Sequence, residues 1–288
     1  MTTWRCPVCH LDLGEDPAAE PSARVGRPAR AWRCDNGHGF DIAREGYVNL
    51  LITHQRRRRE PGDSAAMVRA RRAFLDGGWY EPVREALAAH APDEGESACD
   101  AGCGEGYYTR LWRDVWCIDI SKTAVRLAAG RAADAGGGAR YAVASAFDLP
   151  LADESIDVLV SVFAPLDSAE FERVVRPGGK VVTLTPGPDH LAGLAALLFE
   201  TVEPHPGDGP FDRPGGPIGL TRESSERIRY DLDLDRPGAV GALLGMTPWA
   251  WYVSPETRAS VAARAALATP VDVVLTTYRR RARRLATT

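Results

Sequence analysis

Two sets of residues in this 288-residue chain have types and spacings that could do chemistry. Near the N-terminus, Cys6-x-x-Cys9 is followed by Cys34-x-x-x-His38. Three thiolates and one imidazole form a tetrahedral donor set suited to structural zinc. Pro7 stiffens the first knuckle and Gly37 lets the second turn tightly. His10 competes as a fourth ligand, although residues adjacent in sequence chelate one ion poorly. The plain alternative is a pair of buried thiols beside a surface histidine. So short a knuckle lacks a core and needs its metal to fold. The second set is the run ACDAGCGEGYYT at residues 98–109, with an acid at Asp100 and glycines at Gly102, Gly104 and Gly106. Glycine serves where backbone must pass a ligand closely or take positive φ. A dinucleotide fingerprint reads G-x-G-x-x-G, whereas this run reads G-x-G-x-G, which suits a ligand with no pyrophosphate to seat. S-adenosylmethionine is such a ligand. Asp119, closing the next apolar run, is spaced to receive the two ribose hydroxyls of an adenosyl group. A glycine-rich loop alone could equally be an ordinary tight turn; Asp119 favours the methyl-donor reading.

Those residues need an apolar strand before the glycines and a helix after them. The pattern predicts strands over 97–101, 115–120 and 140–144, with a helix over 107–114 that aims its free N–H groups at the turn. Ser121 caps a helix over 122–135. Residues 157–163 are the most apolar run and read as the buried central strand. Pro177-Gly178-Gly179 turns into a strand over 180–185, and residues 186–191 form a rigid loop entering a helix. Residues 203–219 read as a Pro/Gly-rich loop, 228–235 as a strand, 239–246 as a helix and 271–278 as the last strand. Upstream, helices span 64–75, capped by Ser64 and ended by Gly77-Gly78, and 82–91. The alternation is that of an α/β, Rossmann-like class I S-adenosylmethionine-dependent methyltransferase domain with a small N-terminal zinc-binding domain. The expected division is 1–50 zinc-binding and RNA-recognising, 51–80 basic linker and helix, and 81–288 methyltransferase. Ser145 occupies the place where many such enzymes put an adenine-contacting aspartate. Phe163-Ala164-Pro165 is either the meeting point with the methyl acceptor or a plain strand exit.

A hydrophobic fraction of 44% and a charged fraction of 26% are ordinary for a globular protein. No run approaches a membrane span and the N-terminus lacks a signal-peptide core, so a cytoplasmic location with no membrane partner is expected. Six cysteines in a reducing compartment argue against a disulfide framework. The net charge of −4 conceals a basic N-terminal third, where basic side chains outnumber acidic ones by seven over residues 21–72. Arg56, Arg57, Arg58 and Arg59 form a block, and Arg69, Arg71 and Arg72 follow on a helix. A polyanion would dock there; the plainer reading is a solvated surface.

The CPxC…CxxxH knuckle, the phrase FDIAREGYVNLL, the segment PGDSAAMVRARRAFLDGGWYEP, the run DAGCGEGYYT and the phrase TPGPDHL together resemble the bacterial 23S ribosomal RNA guanine-N1 methyltransferases of the RlmA type. Related members confer resistance to tylosin and mycinamicin. The resemblance covers nearly the whole chain in order. It implies that Cys6, Cys9, Cys34 and His38 hold zinc. It also implies that Tyr80, the Gly104-Glu105 turn and His190 contact S-adenosylmethionine together with Asp119. Taken alone, Tyr80 could be a core aromatic and His190 a helix cap. The implied target is a guanine in a hairpin loop of 23S rRNA. Family members also associate, so a homodimer is expected, though no interface pattern in these residues derives it.

Three features depart from the family: a longer loop between the knuckles, Trp79 where a histidine is expected, and the Pro/Gly content of 203–219. They support a second reading, a small-molecule tailoring methyltransferase that kept the scaffold. A third, a non-catalytic zinc-dependent RNA-binding module, fits poorly with an intact Gly102–Gly106 turn. For guanine, N1 must lose a proton at or before attack. The sequence names no acceptor; Asp148, Asp167 and Asp189 are candidates. Trp79 and Phe163 are candidates for stacking a splayed base.

Overall fold

In the central strands, successive residues go to opposite sides of one sheet, the consequence of a period-two pleat. Val115 and Cys117 pack with Val158 and Val160 on one face; Trp116 and Ile118 pack with Cys99 and Leu159 on the other. A computed structural model describes residues 2–16, 30–52, 62–135, 138–206, 209–212 and 219–282.

In chain order the elements are β1 (Gly14–Asp16), β2 (Ala31–Arg33), β3 (Gly39–Asp41), β4 (Tyr47–Asn49), α1 (Ala65–Asp76), α2 (Glu81–Ala88), β5 (Ala98–Ala101) and β6 (Val115–Asp119). There follow α3 (Lys122–Ala135), β7 (Arg140–Val143), β8 (Ile156–Val162), α4 (Ser168–Val174), β9 (Val175–Pro186) and α5 (Ala192–Ala195). The chain closes with β10 (Leu220–Leu234), α6 (Ala239–Met246), α7 (Pro255–Ala262) and β11 (Leu267–Arg280). Strands β1 to β3 form a small antiparallel sheet, and the rest an eight-stranded sheet in the order β10-β11-β9-β8-β5-β6-β7-β4. From β9 to β4 every pairing is parallel, while β10 and β11 are antiparallel additions. The winding reverses at β5. In open α/β sheets ligands bind at such a switch point, outside the carboxyl ends of the strands.

Helices α1, α2, α3 and α6 cover one face of the large sheet through Phe74, Leu87, Val125 and Leu243. The other face is covered partly by α4 and partly by the N-terminal knuckle, whose Trp4, Cys6, Leu13 and Cys34 join Trp116 and Leu149 in one apolar cluster. Trp4 is buried and meets Trp116 edge-to-face at 4.5 Å, and the Arg5 amide donates to the Pro150 carbonyl at 2.8 Å. No helix among the described residues is long and apolar enough to cross a membrane.

The structure corrects several sequence-based expectations. Residues 107–114 are a series of turns, because Tyr107, Thr109 and Trp112 all face inward, a spacing no single helix face can supply. Pro177-Gly178-Gly179 is not a turn before a strand; it lies inside β9, where the register with β8 shifts. Strands β10 and β11 are longer than expected, and β4, α4 and α7 form where the pattern predicts no element. Tyr47–Asn49, within the segment expected to be zinc-binding, pairs with β7 in the large sheet.

Candidate active site and metal centre

The metal centre is built from two turns that fold back on themselves. The His10 amide donates to the Cys6 carbonyl at 2.9 Å, and the Gly37 amide to the Cys34 carbonyl at 2.8 Å. Gly37 has φ +79°, which explains the glycine there. The ligand atoms of Cys6, Cys9, Cys34 and His38 all lie within 4.8 Å of one another. Cys9 Sγ and Cys34 Sγ are 3.6 Å apart, and Cys34 Sγ is 3.4 Å from His38 Nδ1. Zinc–sulfur bonds of about 2.3 Å in a tetrahedron require sulfurs roughly 3.8 Å apart, so the donor set fits zinc. His10 is not part of the cluster. None of the six cysteines forms a disulfide.

A cavity of about 630 Å³ opens at the carboxyl ends of β5, β6, β7 and β8. All eight residues singled out for the methyl donor line it: Tyr80, Asp100, Gly102, Gly104, Glu105, Asp119, Ser145 and His190. Gly102 has φ +90°, and a Cβ there would stand 2.3 Å from the Ala164 side chain. The bend after β5 can therefore lie against the exit of β8 only without a side chain. Asp119 is half-buried and accepts from the amides of Gly104 at 2.9 Å and Ser121 at 2.7 Å. The Gly104 N–H is thus engaged by Asp119. Burial raises the Asp119 pKa, opposed by those two amides.

Asp100 is buried, with Oδ2 held by the Thr109 hydroxyl at 2.6 Å and Oδ1 without any partner. Desolvation pushes its pKa up to about 7. Glu105 repeats the pattern: Oε2 meets Arg131 at 3.2 Å, Oε1 has no partner, and burial raises the pKa. Unpartnered carboxylate oxygens are costly, and two of them in one cavity fit a ligand bearing an ammonium group, as the methionine portion of S-adenosylmethionine does.

Across the cavity, the Asp272 amide donates to His190 Nδ1 at 3.3 Å. Burial lowers the His190 pKa to about 4, so the ring is neutral and its proton sits on Nε2, which donates to Tyr80 Oη at 3.3 Å. The Tyr80 hydroxyl proton is thereby left to point elsewhere. Ser145 Oγ accepts from the Phe147 amide at 3.1 Å and keeps its own proton free.

None of the three candidate proton acceptors reaches the cavity. Asp167 caps α4 through the amides of Ala169 and Glu170, Asp189 pairs with Arg229 at 2.9 Å, and Asp148 lies 4.0 Å from Arg5. Trp79 is also excluded from the lining: it stacks on Phe74 at 5.0 Å, beneath the Arg236 guanidinium. Phe163 does line it, in a left-handed conformation (φ +50°) and stacked against His190 at 5.5 Å. Sequence reading missed His205, Phe147, Trp249 and the Asp63–Arg71 ion pair, which also line the cavity. Only the Trp249 neighbourhood carried a signal, its aromatic cluster PWAWY. Arg56 to Arg59 lie outside the described residues. On α1, Arg71 is paired with Asp63 and Arg72 with Asp76, while Arg69 is exposed.

A doubly wound sheet, a glycine bend at its switch point and an acid closing the adjacent strand define an S-adenosylmethionine-dependent methyltransferase. In agreement, residues 99–183 match the family described as a methyltransferase domain, and residues 4–59 match the N-terminal zinc ribbon of the RlmA family. The chain is 37% identical to a 23S rRNA (guanine(748)-N(1))-methyltransferase of Streptomyces fradiae, over 88% of this chain and 87% of that one. It is 38% identical to a Micromonospora griseorubida protein named for 23S rRNA (guanine-N(1)-)-methyltransferase activity, over 93% of both. It belongs to the RlmA-type 23S rRNA (guanine-N1)-methyltransferase family. A chain from the solved complex of the Haloferax volcanii Trm112 methyltransferase activator with a methyltransferase shares the fold, with a TM-score of 0.50 and 19% identity over 76% of this chain and 96% of that one.

Proposed function

We propose that this protein methylates N1 of a guanine in a hairpin loop of 23S rRNA, using S-adenosylmethionine. The observation that carries the substrate assignment is the likeness, over nine-tenths of the chain, to relatives named for that reaction. Methyl transfer itself is supported by the cavity. Bound there, S-adenosylmethionine supplies a methyl group already activated by its positive sulfur. Asp119 takes the ribose hydroxyls, Gly102 and Gly104 let the backbone approach, and Ser145 borders the adenine. Asp100 and Glu105 attract the ammonium group, and the Tyr80 hydroxyl, turned outward by His190, donates to the carboxylate. The residues around the methyl group then have chiefly to position and desolvate. Phe163 provides the face on which the flipped guanine stacks.

The zinc knuckle and the arginines Arg56, Arg57, Arg58, Arg59, Arg69 and Arg72 grip the RNA backbone, which makes binding salt-dependent. The protein works in the cytoplasm and, by analogy with its family, as a homodimer; the same analogy supports a link to macrolide resistance. The tailoring alternative is not favoured: its main support, Trp79, is committed to packing away from the cavity. The test is incubation with methyl-labelled donor, large-subunit RNA and macrolide aglycones together. Label is expected in the RNA alone; label in the small molecule would overturn the reading.

A further inference from the structure

We propose that His205 is the general base that removes the N1 proton of the target guanine, an inference that rests on the function proposed above. Guanine N1 carries hydrogen in neutral water, so its lone pair must be freed as attack proceeds. The acceptor must reach the cavity, be unprotonated, and have a nitrogen or oxygen not already engaged. The carboxylates lining the cavity each fail. Asp119 is held by two backbone amides and Asp63 by Arg71, while Asp100 and Glu105, each with one oxygen unengaged, belong to the glycine bend on the donor side, where they face the ammonium group. His190 fails as well, because its Nδ1 accepts from the Asp272 amide and its Nε2 proton is directed at Tyr80.

His205 meets the requirements. It lines the cavity and is half-buried, and among the described residues no hydrogen bond or ion pair engages its ring. It lies close enough to His190 to disfavour that ring's protonation. His190 stacks on Phe163, the residue that offers its face to the guanine, so His205 lies towards the exits of β8 and β9, next to the Tyr80–His190 pair that borders the donor's methionine end. Asp119 and Ser145, which flank the donor, close β6 and follow β7 on the opposite side. Burial lowers the His205 pKa and keeps the imidazole neutral at physiological pH. The other titratable groups lining the cavity are His190, Tyr80, Tyr107 and Tyr108, with Cys103, Asp100, Glu105, Asp119 and the Asp63–Arg71 pair.

The step balances with no further reagent. The N1–H proton passes to an imidazole nitrogen while the N1 electron pair forms the bond to the methyl carbon. The carbon–sulfur bond breaks with its pair retained on sulfur. A neutral imidazole and a sulfonium thus become an imidazolium and a neutral thioether, and the imidazolium releases its proton to water.

The experiment compares wild type, His205→Gln and His205→Ala in single-turnover methylation of large-subunit RNA between pH 6 and pH 9.5. For wild type, the rate should rise with pH and level off once His205 is unprotonated. His205→Gln should be slower by about 100-fold or more at pH 7, its rate climbing with pH without levelling off, and its affinity for S-adenosylmethionine by calorimetry should be unchanged. Added imidazole should partly restore His205→Ala. A His205→Gln rate equal to wild type would overturn the proposal, as would a rate lowered equally at every pH, which marks a merely structural role. If wild type forms no N1-methylguanosine, the functional reading fails and this proposal with it. If wild type forms N1-methylguanosine and His205→Gln is unimpaired, only this proposal fails.

Discussion

Asp100 shows how a single residue ties stability to function. Its Oδ1 is buried without a partner and its pKa is raised to about 7 from an ordinary 3.8. Below the ordinary carboxylate range both folded and unfolded chains are protonated here, and the group costs nothing. As pH rises from there through about 7, the unfolded chain ionises first, so stability falls; above that the penalty is constant. Its size is on the order of a few kcal/mol before a ligand is bound. Asp100→Asn should therefore melt higher than wild type at pH 8 in the absence of ligand, with the difference vanishing near pH 4. Calorimetry should show its S-adenosylmethionine affinity reduced about tenfold or more, the value of a lost charge-assisted hydrogen bond. A lower melting temperature at pH 8 with full affinity would contradict this account. The acid–glycine spacing around Asp100 was legible in the sequence because the motif is local. His205 was not, because its place in the cavity depends on a chain path through irregular segments. The same holds for Asp272, whose amide fixes the His190 tautomer from 82 residues away.

Elements with their own periodicity, such as α3 and β8, could be read directly. Those made by tertiary contact could not. The three residues of β4 form a strand only because β7 offers an edge. The turns over 107–114 replace a helix because Thr109 must reach back to Asp100. At this scale the N-terminal knuckle is also more than a metal clip, since Cys6 and Cys34 share an apolar cluster with Trp116 and Leu149. The loop 144–150 is bonded to the knuckle through Arg5, whose amide donates to the Pro150 carbonyl, and lines the cavity with Ser145, Ala146 and Phe147. Stripping the zinc should cost several kcal/mol and lower the melting temperature by about 10 °C or more. It should also weaken S-adenosylmethionine binding. Scanning calorimetry with a strong chelator, followed by restored zinc, measures both; an unchanged melt would contradict the coupling.

At the scale of the molecule, an eight-stranded sheet carries a cavity at its switch point, and its second face is completed in part by the N-terminal knuckle. The α/β class follows from patterns along the chain, and the residues singled out for the donor by motif and resemblance come together in one cavity. The acceptor side depends on the packing of β8, β9 and residues 186–206, where sequence reasoning put forward Asp148, Asp167, Asp189 and Trp79, none of which reaches the cavity. Phe163, proposed from its position after the central strand, is there. The most direct test of the account is mass-spectrometric mapping of large-subunit RNA after incubation with the protein and S-adenosylmethionine. The account predicts N1-methylguanosine at one hairpin-loop position. A transferred methyl on any other atom, or RNA left unmodified, would contradict it.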